Sequence, residues 1–296
     1  MLARANRFLD HEKRLGYLMI IPALLVLVAL VAYPFSVSIW LSFTDTRIAR
    51  ADTGNFIGLE NFEKLMDRDI FRNEVISNTL LYTFGAVPLK LGLGLVLALL
   101  LNRPFPLRGL VRGLILIPWV LPTSLSMTIF VWLFEPTQSA LNYMLETNGF
   151  DPVRWLGYDH ALHSVVAVNI WRGTPFFGVV LLAALQGVPV DQEEAAQIDG
   201  ANRFQVFQHV TLPHIFPVIV VSTLFSMVRT FAEMEIVWIL TRGGPLDSTH
   251  MIGTYAYQRA IINSRIGEGA AISLFFFPFL ALIVFLQLLY LQRRDS

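Results

Sequence analysis

Six long apolar stretches alternate with short polar ones along the chain. They run near Leu18–Phe43, Thr79–Leu101, Leu110–Phe134, Ser164–Val188, Phe216–Leu240 and Gly269–Leu291. A bilayer core is crossed by about 20 mostly apolar residues in a helix. Inside it the backbone must satisfy its own hydrogen bonds, so each stretch is expected as a transmembrane helix. Prolines recur within them, at Pro22, Pro34, Pro88, Pro118, Pro122, Pro175 and Pro278. Each removes an amide donor and invites a kink. The first stretch follows a basic start, as a signal peptide would. It is too long for an h-region of about 7–15 residues and no small-x-small cleavage site follows, so it reads as a retained span.

Six spans place both termini on one side, and arginine and lysine decide which. The tail 1–15 carries Arg4, Arg7, Lys13 and Arg14, the turn after the second span Arg103, Arg108 and Arg112, and the far end Arg293 and Arg294. With the polar loop 189–215 these lie on one face, expected to be cytoplasmic. With Arg203, about 10 basic residues fall inside against about 9 outside, but the outer loops are longer, so density favours this orientation. Those loops, Thr44–Asn78, Glu135–His163 and Thr241–Glu268, are too short for enzymatic domains. The whole chain, 1–296, is expected as one transmembrane domain.

Composition agrees. Of 296 residues, 55% are hydrophobic and only 15% charged, where soluble domains average roughly 25% charged. A formal net charge of zero argues against nucleic acid. The absence of cysteine excludes disulfides, thiolate metal sites and cysteine nucleophiles. His209 and His214 are separated by Pro213, and His160 and His163 sit in an outer loop. Neither pair makes the three or four converging ligands of a zinc site. There is no nucleophile elbow and no phosphate-binding G-x-x-x-x-G-K-[ST], so the chain is not expected to be an enzyme.

The loop at 189–215 is longer than a connector needs. Pro189 ends the fourth span. Asp191 is placed as an N-cap with Glu194 three residues on, like a capping box. "EEAAQID" follows with helix formers and acidic residues near the helix start. Gly200 permits a sharp change of direction. "ANRFQVFQHV" resumes helix, with Phe204, Phe207 and Val210 spaced on one apolar stripe. Pro213 is expected to stop that helix and Pro217 to open the next span. The first helix is acidic, and anionic lipid repels acidic segments, so a protein surface suits it better. Paired Ala195 and Ala196 keep it slim enough for close approach.

The string from Glu194 to Pro213, "EAAQIDGANRFQVFQHVTLP", resembles the EAA loop of membrane subunits of ATP-binding-cassette importers. Glu194, Ala195, Ala196, Asp199, Gly200, Ala201, Leu212 and Pro213 stand at the matching positions. "IGLENFEKLM", "SNTLLYTFGAVPLKLGLGLVLALLLN", "ILIPWVLP", "VNIWRGTPFFGVVLLAALQGVP" and "LTRGGPLDSTHMIGTYAYQRAI" are similar to the sugar and glycerol-phosphate branch. Gly243 to Pro245 suggests the maltose-type first permease subunit, with Arg242 as a departure where a small residue is expected.

The resemblance implies an all-α, polytopic type I importer permease in the bacterial cytoplasmic membrane. Its coupling helix, with Phe207 among the docking candidates, would seat on a separate dimeric ATPase that holds the ATP and magnesium. This chain would bind no cofactor or metal. A second permease subunit, an extracytoplasmic binding protein, membrane lipid and a sugar-like solute complete the implied partners.

Ionisable residues inside spans need reasons. Lys90 lies in the second span, Arg172 beside Trp171 in the fourth, and Arg229, Glu233 and Glu235 in the fifth. Arg229 and Glu233 are four apart and face the same way. Two readings stay open: a polar path for a hydroxyl-rich solute, with Glu235 as a cavity residue, or a structural ion pair with snorkelling cations.

Overall fold

The computed structural model describes residues 16, 19–48, 50, 54–137 and 139–295. The expected tail 1–15, with Arg4, Arg7, Lys13 and Arg14, lies outside the described residues, as do the side chains of Arg293 and Arg294. In chain order the helices are α1 (Met19–Ser42), α2 (Glu60–Met66), α3 (Phe71–Asn102), α4 (Arg108–Val120), α5 (Thr123–Leu133), α6 (Ala140–Thr147), α7 (Ala161–Gln186), α8 (Val190–Ile198), α9 (203–231), α10 (Glu235–Leu240), α11 (Ile252–Tyr257), α12 (Ile266–Phe275) and α13 (Phe277–Asp295). Among the described residues the only β pairing is an isolated antiparallel bridge, Thr44 with Phe56. By length and composition five helical stretches can cross a membrane, or six when α4 and α5 count as one.

That pair carries the kink that the prolines of the third span invite. α4 and α5 meet at 87°. Pro122 carries no amide hydrogen, so the carbonyl of Pro118 has no helical donor four residues on. Leu121 takes an extended ψ of 140° and the helix restarts after Pro122. The fifth span is also divided. Residues 232–234 leave helical form between α9 and α10.

The chain forms two compact units. One comprises residues 1–65 and 258–275. Here Asn61 donates to the carbonyls of Ser42 (2.9 Å) and Thr44 (2.8 Å), closing the C-terminal end of α1. Asp45 Oδ1 accepts the amides of Gly54 and Asn55, both at 2.8 Å. Glu268 accepts from Arg259 and from Arg265, each at 2.7 Å.

The other unit comprises residues 66–257 and 276–296. Its centre is the α3–α7 pair. A methyl group at Gly94 would lie 2.3 Å from the Cβ of Phe177, so only glycine lets the two helices come this close. Val87, Ala98, Leu101, Phe177, Leu181, Leu185 and Ile215 form one buried cluster along this seam. A second gathers Tyr82, Met127, Phe134, Val165, Val168, Ile236, Val237 and Met251. Between the two clusters lies a polar site.

Candidate functional site

Two features stand out: a charged cavity among spanning helices, and the 189–215 loop. The cavity is lined by Lys90, Trp119, Asn169, Arg172, Gly173, Phe176, Phe225, Ser226, Arg229, Thr230, Glu233 and Ile236. Lys90 is 3% exposed. It does not snorkel, contrary to one of the two expectations, because its ammonium finds partners inside. Nζ donates to Asn169 Oδ1 at 2.8 Å and to Thr230 Oγ1 at 2.7 Å. These buried contacts from α7 and α9 provide the hydrogen bonds that a desolvated charge requires. Gly173 makes room for the lysine stem: a methyl group there would sit 2.4 Å from Lys90 Cδ. Asn169 and Thr230 escaped sequence reasoning. The available signal was a lysine too deep in an apolar helix to reach water, which calls for polar partners on neighbouring helices.

Arg172 has a different task. Its Nη1 donates to the carbonyls of Leu121 (3.0 Å) and Pro118 (3.3 Å). These are carbonyls at the α4–α5 bend, where Pro122 supplies no donor. The guanidinium completes the backbone at the break, as membrane helices require.

Arg229 and Glu233 line the same cavity but form no ion pair with each other among the described contacts. The expected i,i+4 pairing fails because α9 ends at Phe231. Glu233 lies in the non-helical step and turns instead to the start of α10, where its Oε1 accepts the amide of Ile236 at 3.1 Å. An acidic side chain is favoured there by the helix dipole. Glu235 opens α10, is exposed, and does not line the cavity. Trp171 faces another pocket, of about 460 Å³, with Phe130, Phe134 and Trp155.

The loop is helix, bend, helix. Pro189, not Asp191, occupies the N-cap of α8, and no side chain caps that end. Asp191 falls in the first turn instead, because Pro189 supplies the fixed φ of −63° that leads into the helix. Gly200 follows with φ +89°. Its amide reaches the carbonyl of Gln197, and the amide of Ala201 reaches that of Ala196, both at 3.0 Å. Together they form a Schellman ending, which favours glycine at this position. Asn202 then caps the next helix in a complete capping box with Gln205.

Beyond this the expectation of a helix stopped by Pro213 is corrected. Helix continues from 203 to 231 through a π turn, Phe207–Thr211. The wider turn precedes Pro213, which then occupies the first turn of the following α segment, where an amide donor is dispensable. Pro217 is accordingly inside the helix and opens nothing. The apolar stripe shifts as well: Phe204 is 71% exposed and Val206 is buried, while Phe207 and Val210 are half-buried. Thr211 holds the two arms together by donating to Glu193 Oε1 at 2.8 Å. Glu194, Ala195, Asp199 and Gly200 are exposed, Ala196, Ala201 and Leu212 half-buried, and Pro213 exposed.

Residues 90–295 match the sequence profile of the binding-protein-dependent transport system inner membrane component family. The chain belongs to this family. A trehalose/maltose transport system permease protein, MalF of Thermococcus litoralis, is 33% identical over 291 residues, covering 96% of each chain. The sulfoquinovosyl glycerol transport system permease protein SmoG of Agrobacterium fabrum is 32% identical over 296 residues, 99% of this chain and 96% of that one. In fold, the chain matches the crystal structure of a bacterial ABC transporter involved in import of the acidic polysaccharide alginate. The TM-score is 0.83 over 98% of this chain and 99% of that one, at 23% identity. The family is a membrane transport component, not a catalytic one. Among the described residues no group of three or more His, Cys, Asp or Glu could hold a metal ion.

Proposed function

We propose that this chain forms half of the translocation path of an ATP-driven, binding-protein-dependent importer for a sugar or a related polyol or glycerol-phosphate solute. A second permease subunit supplies the other half. A separate dimeric ATPase carries ATP and magnesium, and an external binding protein delivers the solute. All of 1–296 acts as one transmembrane domain in the bacterial cytoplasmic membrane, with both termini and the 189–215 loop inside.

The observation that carries this reading is the exposed α8–Gly200–α9 elbow. Its acidic first helix presents Glu194, Ala195, Asp199 and Ile198 outward, and Ile198 is 86% exposed. A slim helix with a rigid, glycine-closed end suits docking into a groove on a protein partner. Closure of the ATPase pair would move this elbow and rock the spanning helices as a rigid body. Transport follows only if ATP and solute favour different states.

A photocrosslinker at Ile198 tests the coupling role. The expected product is an adduct with the ATPase subunit. An adduct with lipid alone would overturn it. A single cysteine placed at position 296 should react only with reagent inside the cell, and labelling from outside would reverse the orientation.

A further inference from the structure

The cavity among α3, α7 and α9 holds an imbalance of charge. Lys90, Arg172 and Arg229 line it against one carboxylate, Glu233. Glu235, the other acid of this span, does not line it. Glu233 is already engaged with the amide of Ile236. Lys90 spends two of its three donors on Asn169 and Thr230. Arg172 is fixed on two backbone carbonyls.

Arg229 differs from all of these. It is exposed, and among the described residues it makes no hydrogen bond and no ion pair. A cation on a spanning helix faces a water-filled path or a charged partner, because lipid does not tolerate it. A guanidinium is also the side chain best shaped for an oxyanion, which it holds with two parallel hydrogen bonds. Beside the charges, Trp119, Phe176 and Phe225 contribute broad apolar faces, their ring centroids 6.0 Å and 5.4 Å apart in turn. Few convergent polar groups set against an aromatic wall is the usual make-up of a small-molecule site.

We propose that the transported solute is acidic, a sugar-like molecule bearing a carboxylate, sulfonate or phosphate, and that Arg229 is the residue that receives that group. The apolar wall takes the ring or carbon skeleton. This rests on the importer reading above and sharpens its solute class. Lys90 and Arg172 contribute a fixed positive field, and Arg229 contributes the direct contact.

The test uses the intact complex, purified with its partner permease, ATPase and binding protein and reconstituted in liposomes. Uptake and stimulated ATP hydrolysis are measured with matched pairs: glycerol 3-phosphate against glycerol, and digalacturonate against its methyl ester. The expected result is stimulation by an acidic member and not by its neutral counterpart. Arg229→Gln should raise the half-saturating concentration at least tenfold at unchanged complex yield, and Arg229→Lys should recover part of the loss. ATP-driven uptake of neutral members only, or of no acidic probe, overturns the proposal and leaves the importer standing. So does an Arg229→Gln complex with unchanged half-saturation, which would mean that Arg229 pairs with an acid of the second subunit. A complex lacking the ATPase would instead overturn the importer reading itself.

Discussion

Thr230→Val should cost about 2 kcal/mol, and almost all of that cost should vanish when Lys90 is Met. Thr230 and Lys90 are each 3% exposed and Asn169 is 6% exposed, so water cannot replace a lost partner. The Lys90–Thr230 contact is 2.7 Å long. A hydrogen bond to a charged group contributes roughly 1.5–3 kcal/mol. Valine keeps the shape of threonine and removes the acceptor, which leaves a buried ammonium with Asn169 alone. Lys90→Met removes the charge together with its desolvation cost. Exchanging a buried charge for an apolar side chain of similar volume is often close to neutral. In that background Thr230→Val loses nothing of value and should fall within about 0.5 kcal/mol of zero. The coupling energy is therefore expected at about 1.5 kcal/mol or more. It can be read from a double-mutant cycle by SDS-titrated unfolding in mixed micelles. Additive costs, or a Thr230→Val variant as stable as the parent, would refute the claim that this contact stabilises the cavity floor.

Other regions give separate tests. Gly200→Ala forces a side chain into φ +89°, a strain of about 1–2 kcal/mol. It should lower the ratio of solute moved to ATP hydrolysed severalfold, with Gly200→Pro worse, and an unchanged ratio in both would disprove the coupling role. Arg172→Met removes the Nη1 donor that serves the carbonyls of both Pro118 and Leu121. It should cost about 2 kcal/mol in the same unfolding assay, and full stability would show that the bend closes without it. His250 is 1% exposed, and burial pushes its imidazole below the usual histidine range, with Asp247 opposing more weakly. Below pH ~6.5 the unfolded chain therefore takes up the proton before the native one. Stability should be fully present above that pH and decline as pH falls through the native value. His250→Asn should flatten that slope in a pH series of melting curves, and a parallel slope would sink the assignment.

Much of the helical layout was legible because transmembrane helices are written in long apolar runs that local rules can read. The first, fourth and sixth spans lie within a few residues of where the runs end. In the third span Pro122 announced a kink but not its size, because the apolar run continues through it and the carbonyls at the 87° bend are served by Arg172, about fifty residues away. The end of the helix expected at Pro213 was wrong. A π turn carries helix across the proline, and nothing in the local pattern distinguishes that turn from an ordinary one. The glycine bend at Gly200 was readable, since a left-handed helix ending has a strong residue preference. The cap at Asp191 was not, because Pro189 sets the helix entry first. In the cavity, sequence spacing nominated an Arg229–Glu233 pair by assuming unbroken helix. The break at 232–234 released Glu233 to α10 and left Arg229 facing the cavity alone. Lys90, Asn169 and Thr230 come from three helices, and only the folded chain brings them together.

Capturing this chain by a C-terminal tag from gently solubilised native membranes, and identifying what accompanies it, tests whether it works as half of an ATP-driven importer. An ATPase and a second permease with its own EAA loop should arrive with it, in fixed proportion to the tagged chain. A chain that arrives alone and moves solute without ATP after reconstitution would contradict that role.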